Sequence, residues 1–108
     1  MDKKLQRQLE KLDDEHRFSK KQLENKAEAI EQEKSQTRRA LDALYERHQY
    51  YLQKLNPDFT DRTFQHELEK ESGFLMQQYQ NELQQLSFAF EEQEDTYRKQ
   101  KGHLEDNQ

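Results

Sequence analysis

The sequence predicts an all-α protein, an elongated antiparallel two-helix hairpin of the coiled-coil type. Charged residues make up 38% of the 108 residues and hydrophobic residues only 30%. The chain has two glycines, one proline, and no tryptophan or cysteine. A composition of this kind is typical of long exposed helices. A β-rich fold would need more β-branched and turn residues than this chain contains.

The strongest break in the helical pattern is the segment around Pro57. Proline cannot continue a helix, and the residues after it include good helix caps, namely Asp58, Thr60 and Asp61. We therefore predict a single hairpin over residues 1–108, with helix one at about 2–55, a turn at 56–61 and helix two at about 62–104. Gly73 leaves two interpretations open, because a helical glycine costs about 1 kcal/mol relative to alanine. Helix two either continues through it or breaks there.

Apolar residues recur at helical spacing in both predicted helices and indicate the seam of the hairpin. In helix one they follow a repeat of seven residues. The predicted seam residues are Leu9, Leu23, Ile30, Leu44, Leu68, Leu75, Leu86 and Phe90. His16 and His48 are expected in the same seam as half-buried polar residues. Such a seam is weaker than a leucine zipper, so we expect the hairpin to complete a larger helical bundle by oligomerisation.

The same residues argue against most chemical functions. We predict no catalytic site, no metal site and no cofactor, because the chain has no His-Glu-x-x-His run, no glycine-rich phosphate loop and no cysteine. Nucleic-acid binding is not expected, since basic residues are interspersed with acids and the net charge is −5. The chain also has no apolar run of the length that membrane insertion requires.

Aromatic residues are concentrated around the predicted turn. Rings at helical spacing often anchor a partner helix. Our candidates for a partner-binding face are Tyr50, Phe59, Phe64 and Tyr79. The alternative is that these rings close the turn end of the hairpin as an apolar plug.

Two helices of similar length around a short turn resemble the small hairpins of the WXG superfamily, which type VII secretion systems of Gram-positive bacteria handle. The Trp of that family's turn is absent here. The export motif of the superfamily is an aromatic residue, three spacers and an acid near the end of helix two. Two candidates fit this motif, Phe88 with Glu92 and Phe90 with Glu94.

The Lys/Gln/Glu-rich first helix, the aromatic-rich middle and the tail from Phe88 to Asp106 resemble a second family, the small helical proteins associated with LXG toxins. That resemblance implies a bacterial cytoplasmic targeting factor or chaperone. It would bind the helical N-terminal domain of an LXG toxin with a small WXG-like companion. Whether it is exported with its cargo stays open. The alternatives are a self-associating coiled-coil scaffold, here a homodimer, and an export chaperone of a flagellar-type system.

Overall fold

A computed structural model describes residues 2–55 and 62–106 of the chain. This part of the chain forms two α-helices, α1 (Lys3–Leu55) and α2 (Arg62–Asp106). The predicted turn at 56–61 lies outside the described residues. Asp2 caps α1, since its Oδ1 accepts a hydrogen bond of 3.0 Å from the backbone N–H of Lys4. That bond satisfies one of the N–H groups that have no partner within the first helical turn.

The second helix continues through Gly73 without a break. No glycine of the described residues has a positive φ, and a β-carbon built on Gly73 meets no atom within 4 Å. The position therefore requires neither the conformational freedom nor the small size of glycine. Of the two interpretations of Gly73, the unbroken helix is confirmed.

The two helices divide into two compact units. Unit 1 consists of Met1–Glu28 and Leu83–Gln108, and unit 2 consists of Ala29–Glu82. In unit 1, His16 contacts Glu94 and Lys20 lies over the ring of Phe90.

In unit 2, Thr37 contacts Tyr79 and His48 contacts Phe64. In each unit the number of the α1 residue rises as that of its α2 partner falls, so the helices are antiparallel. The prediction of an all-α helical hairpin is confirmed.

Each unit has a thin interior. Among the described residues Leu5 alone is buried, with 8% of its surface exposed. The residues between α1 and α2 are otherwise half-buried, and on α1 they follow each other in steps of three and four. We call these positions the seam of α1: Leu9, Leu12, His16, Ser19, Leu23, Ala27, Ile30, Lys34, Thr37, Leu41, Tyr45, His48 and Leu52. Seven of the eight predicted seam residues are half-buried in the structure, and Leu44 is not.

Leu44 is 47% exposed, and its neighbour Tyr45 occupies the seam instead. The reason lies in the pitch of the helix. A repeat of seven residues drifts by about 20° per heptad on a straight α-helix. Over the five heptads from Leu9 to Leu44 the drift reaches about 100°, which is the angle between successive residues. The structure corrects the drift with two consecutive steps of four, from Thr37 through Leu41 to Tyr45.

Candidate interaction surface

A cluster of polar and aromatic side chains crosses the seam of unit 1. We call Asp13, His16, Glu94 and Tyr97 the polar cluster. The rings of His16 and Tyr97 are stacked, with centroids 4.0 Å apart and planes inclined by 15°. His16 Nε2 lies 3.0 Å from Glu94 Oε1, and the Tyr97 hydroxyl donates a hydrogen bond to Asp13 Oδ1. Each contact joins α1 to α2, so the cluster favours one register of the two helices in unit 1.

The electrostatics of the cluster keep the Tyr97 hydroxyl protonated. Its hydrogen bond to Asp13 raises the pKa of Tyr97 above the ordinary value of 10.0, and desolvation acts in the same direction. The ammonium of Lys101 lies 5.7 Å from the centre of the Tyr97 ring. The pKa of Lys101 is also raised, first by its hydrogen bond to Tyr97 and then by the negative charge of Asp13. The Tyr97 hydroxyl therefore remains a hydrogen-bond donor to a higher pH than an ordinary tyrosine does.

Gln93 adds to the polar cluster and lowers the stability of the hairpin. Its Nε2 donates a hydrogen bond of 3.4 Å to the carbonyl oxygen of His16. Gln93 Oε1 and His16 Nδ1 are buried and have no hydrogen-bond partner among the described residues. Such an atom typically costs about 1–3 kcal/mol. Polar groups in a helical seam lower stability while they select register and partner.

In unit 2 a second polar link crosses the seam at Tyr79. Its hydroxyl lies 2.9 Å from Thr37 Oγ1 and donates a longer hydrogen bond, of 3.4 Å, to Glu33 Oε1. Nearer the C-terminal end of α1, the ring centroids of His48 and Phe64 lie 3.6 Å apart and the rings are inclined by 30°. The expectation that His16 and His48 are half-buried polar seam residues is confirmed.

These contacts correct the predicted partner-binding face at two positions. Phe64 and Tyr79 are half-buried and contact α1. At such positions a large ring covers apolar surface of the opposite helix. Phe59 lies outside the described residues. Tyr50 is the predicted partner-face residue that is exposed, with 55% of its surface accessible.

Tyr50 belongs to a small group of exposed side chains on α1. Its ring meets that of Tyr51 edge to face at 5.6 Å, and Lys54 Nζ lies 5.1 Å from its centre. Both tyrosines are exposed, because adjacent helical residues point about 100° apart and the seam here passes through Leu52. Tyr51, seven residues after Leu44, lies outside the seam for the same reason as Leu44.

Sequence reasoning missed several exposed apolar side chains. Phe18, Tyr51, Leu55 and Phe74 are each exposed by more than half of their surface. Phe18, Tyr51 and Phe74 lie between half-buried positions of their helices, and this spacing was the signal that could have identified them. Leu55 lies three residues after the last seam position, Leu52, at the end of α1. A large apolar residue outside the three-and-four pattern is directed away from the opposite helix.

The two candidate export motifs have different environments. Phe88 is 59% exposed and Glu92 is exposed, so that pair is accessible on α2. Phe90 is half-buried with Lys20 over its ring, and Glu94 contacts His16. Phe90 and Glu94 therefore belong to the seam of unit 1, and Phe88 with Glu92 is the accessible motif.

The described residues line open grooves beside the seam. One in unit 1 has a volume of about 400 Å³ and is lined in part by Leu12, Ser19 and Thr96. One in unit 2 has a volume of about 590 Å³ and is lined in part by Asp42 and Met76. Within the described residues no three histidine or acidic side chains are grouped closely enough to hold a metal ion. The described helices also contain no apolar stretch that could cross a membrane.

Comparison with protein-family models, curated proteins and solved structures gave no match for this chain.

Proposed function

We propose that this chain is a non-enzymatic accessory protein of type VII secretion that binds the helical N-terminal domain of an LXG toxin. It acts as a chaperone or targeting factor in the bacterial cytoplasm, together with a small WXG-like companion. The resemblance of its sequence to LXG-associated helical proteins is the source of the partner's identity. A helical hairpin can bind the helices of another protein, as such a role requires.

The observation that carries the proposal is the distribution of apolar surface. One described residue is buried, while seven large apolar side chains are exposed. A hairpin of this kind gains stability by adding its helices to those of another protein, because apolar surface removed from water contributes about 25 cal/mol per Å². The same contact covers apolar surface on the toxin, which is the work of a chaperone.

Two exposed sites on the hairpin are assigned roles in the proposed complex. Tyr50, with its apolar ring and polar hydroxyl, has the character of an interface anchor. Phe88 and Glu92 form the accessible export motif, which the chain would contribute to a composite surface with its companion.

Co-expression with the toxin's N-terminal domain and the small companion tests the proposal. The tagged wild-type chain is expected to recover both proteins. Tyr50→Ala is expected to lower recovery of the toxin domain on the order of tenfold, as loss of an anchor does. Gln53→Ala, an exposed change within one turn of Tyr50, is the matched control and should keep recovery unchanged. Failure of the wild-type chain to recover the toxin domain would refute the proposal.

The acidic surface of α2 is tested separately. Glu91→Lys with Glu92→Lys should reduce toxin recovery if the acids contribute to recruitment, since both side chains are exposed. Glu94 is left unchanged because it contacts His16 across the seam, and its reversal would disturb the hairpin itself. Equal recovery at moderate salt would count against a role for these acids.

A further inference from the structure

The open groove of about 590 Å³ in unit 2, which we call the unit 2 groove, is a surface that the proposed function does not use. Its α1 side contains Arg38 and Asp42, which are exposed. Its α2 side contains Leu68 and Met76, which are half-buried. Neither Arg38 nor Asp42 forms an ion pair within the described part of the chain. The unit 2 groove therefore presents unpaired charges of both signs beside apolar side chains.

The two charges on α1 are self-complementary in an antiparallel contact. When two copies of a helix lie antiparallel about a two-fold axis, residues at equal distances before and after a common midpoint face each other. Arg38 and Asp42 lie two residues before and two residues after Ala40, which we call the α1 midpoint. With this midpoint at the centre, Arg38 of each copy meets Asp42 of the other, and opposite charges attract.

The apolar side chains on α2 have the same property. Leu68 and Met76 lie four residues before and four residues after Ser72, which we call the α2 midpoint. In an antiparallel contact of two α2 helices about this midpoint, Leu68 of each copy therefore meets Met76 of the other. Such a contact sets apolar surface on apolar surface, and its removal from water contributes about 25 cal/mol per Å².

The two midpoints lie at the same level of unit 2. His48 contacts Phe64 across the seam, and the α1 midpoint is eight residues before His48 while the α2 midpoint is eight residues after Phe64. Equal steps from a contact stay level in an antiparallel pair of helices. A second contact agrees, because Tyr79 donates a hydrogen bond to Glu33 and each of these residues is seven from its midpoint. A single two-fold axis can therefore bring both helices into contact with their copies.

We propose that the unit 2 groove binds the unit 2 groove of a second copy of this chain. The two-fold axis runs perpendicular to the helices, at the level of the two midpoints. It sets α1 on α1 and α2 on α2 of the second copy, and each facing pair of helices is antiparallel. The contact is isologous, so the ion pair and the apolar pair each form twice. Unit 2 becomes one half of a four-helix bundle.

Gly73 has a use in this dimer that the hairpin alone does not give it. It lines the unit 2 groove and directly follows the α2 midpoint. A β-carbon built on it meets no atom within 4 Å, although a glycine inside a helix costs about 0.5–1 kcal/mol relative to alanine. In the dimer the two Gly73 residues lie within one turn of each other, where a large side chain would hold the two α2 helices apart.

Charge disfavours the alternative axis, which runs parallel to the helices. That axis would set α1 of one copy on α2 of the other at the same level. Asp42 is six residues before His48 and Glu69 is five residues after Phe64, so the two acids would lie side by side. Both line the unit 2 groove, and like charges repel. The perpendicular axis reverses one copy and brings Glu69 nearly level with Arg38 of the other.

Analytical ultracentrifugation of the purified full-length chain tests the dimer. The wild type is expected to sediment as a dimer of about twice 13.3 kDa at micromolar concentration. Arg38→Asp should raise the dimer Kd about tenfold, because it sets acid against acid at both ends of the α1 contact. Arg39→Asp is the matched control, since Arg39 is exposed and does not line the groove, and it should keep the wild-type Kd. A wild-type monomer at all accessible concentrations, with the groove left for another partner, would overturn the proposal.

A mixing experiment tests the antiparallel contact of the two α1 helices. Arg38→Asp and Asp42→Arg should each weaken self-association about tenfold, because each gives its chain two like charges in the contact. An equimolar mixture of the two variants should form a heterodimer with a Kd close to that of the wild type, since every facing pair then has opposite charges. A mixture that associates no more tightly than either variant alone would refute this arrangement.

Substitution of Gly73 tests the contact of the two α2 helices. Gly73→Gln should raise the dimer Kd about tenfold, because its side chain fills the space between the helices. Gly73→Ala removes the same glycine but adds a single carbon, and it should keep the Kd within about threefold. Circular dichroism verifies that both variants remain helical, and a helical Gly73→Gln variant with an unchanged Kd would contradict the α2 contact. These experiments use no toxin, so their failure is separate from a failure of the proposed secretion function.

Discussion

At the scale of single residues, the hairpin is defined by side chains that reach across the seam. The Tyr97 hydroxyl bonds to Asp13 in unit 1, and the Tyr79 hydroxyl lies beside Thr37 in unit 2. A tyrosine at a seam position covers apolar surface with its ring and satisfies a polar group with its hydroxyl. Such residues favour one register, which the half-buried leucines by themselves specify less sharply.

The contribution of Tyr97 should depend on pH. Its pKa is raised in the folded state, so as the pH rises the unfolded chain loses the hydroxyl proton first. The stabilisation is therefore complete below pH 10 and is lost as the pH passes through the raised pKa. Lys101, whose pKa is also raised, acts in the same direction. We expect Tyr97→Phe to lower Tm at pH 7 to 9 and the difference from wild type to shrink above pH 10.

Thermal unfolding followed by circular dichroism from pH 7 to 11 measures this difference. Tyr50→Phe is the matched control, because the exposed Tyr50 hydroxyl makes no hydrogen bond to the described residues, and it should leave Tm unchanged. A Tm difference between wild type and Tyr97→Phe that stays constant from pH 7 to 11 would show that the hydrogen bond to Asp13 does not cause the pH dependence.

At the scale of the helix, α2 contains a glycine that its conformation does not require. Gly73 is helical, and a β-carbon there meets no neighbour. Alanine should therefore stabilise the protein by about 0.5–1 kcal/mol, since it restricts the unfolded chain and favours the helix. Gly102 also has space for a β-carbon, but it lies close to the end of α2 at Asp106, where fraying reduces the effect.

Urea unfolding of Gly73→Ala and Gly102→Ala compares the two positions. We expect the free energy of unfolding to rise more for Gly73→Ala, with an unchanged m-value. A destabilised Gly73→Ala would mean that the helix at this point relies on the flexibility of glycine.

The helices also show how far a sequence repeat can be extrapolated. On α2, residues chosen in steps of three and four, such as Leu75, Leu86 and Phe90, are half-buried. On α1, a strict repeat of seven placed Leu44 in the seam, and the structure places Tyr45 there. The accumulated drift between 3.5 and 3.6 residues per turn accounts for the difference.

At the scale of the whole molecule, the small interior couples stability to association. In the proposed complex, the toxin domain binds the folded hairpin and not the unfolded chain. Association then stabilises the folded state by mass action. We expect the Tm of the hairpin to rise by several degrees for each tenfold increase in the concentration of the toxin domain above its Kd.

Differential scanning calorimetry over a hundredfold range of concentration measures this dependence. Tyr50→Ala, which weakens the contact with the toxin domain, should show a smaller rise of Tm at each concentration. A wild-type Tm independent of concentration would contradict coupled folding and association.

The sequence by itself determined the class of this protein and its main boundaries. High charge, few glycines and a single proline predicted two helices, and α1 and α2 lie on either side of Pro57. These features act locally, since helix propensity and the proline ring need no tertiary partner. The polar seam residues His16 and His48 were also predicted, because their spacing places them among the apolar positions.

The tertiary structure decided which face of each helix meets the other. It placed Phe64 and Tyr79 in the seam, left Tyr51 and Phe74 exposed, and joined Asp13 to Tyr97. The physical reason is that successive side chains of a helix point about 100° apart, so of two neighbouring residues one can lie in the seam and the other on the surface. Only packing against the opposite helix decides which of the two residues is buried, because the helix propensity of the segment is nearly the same in either case.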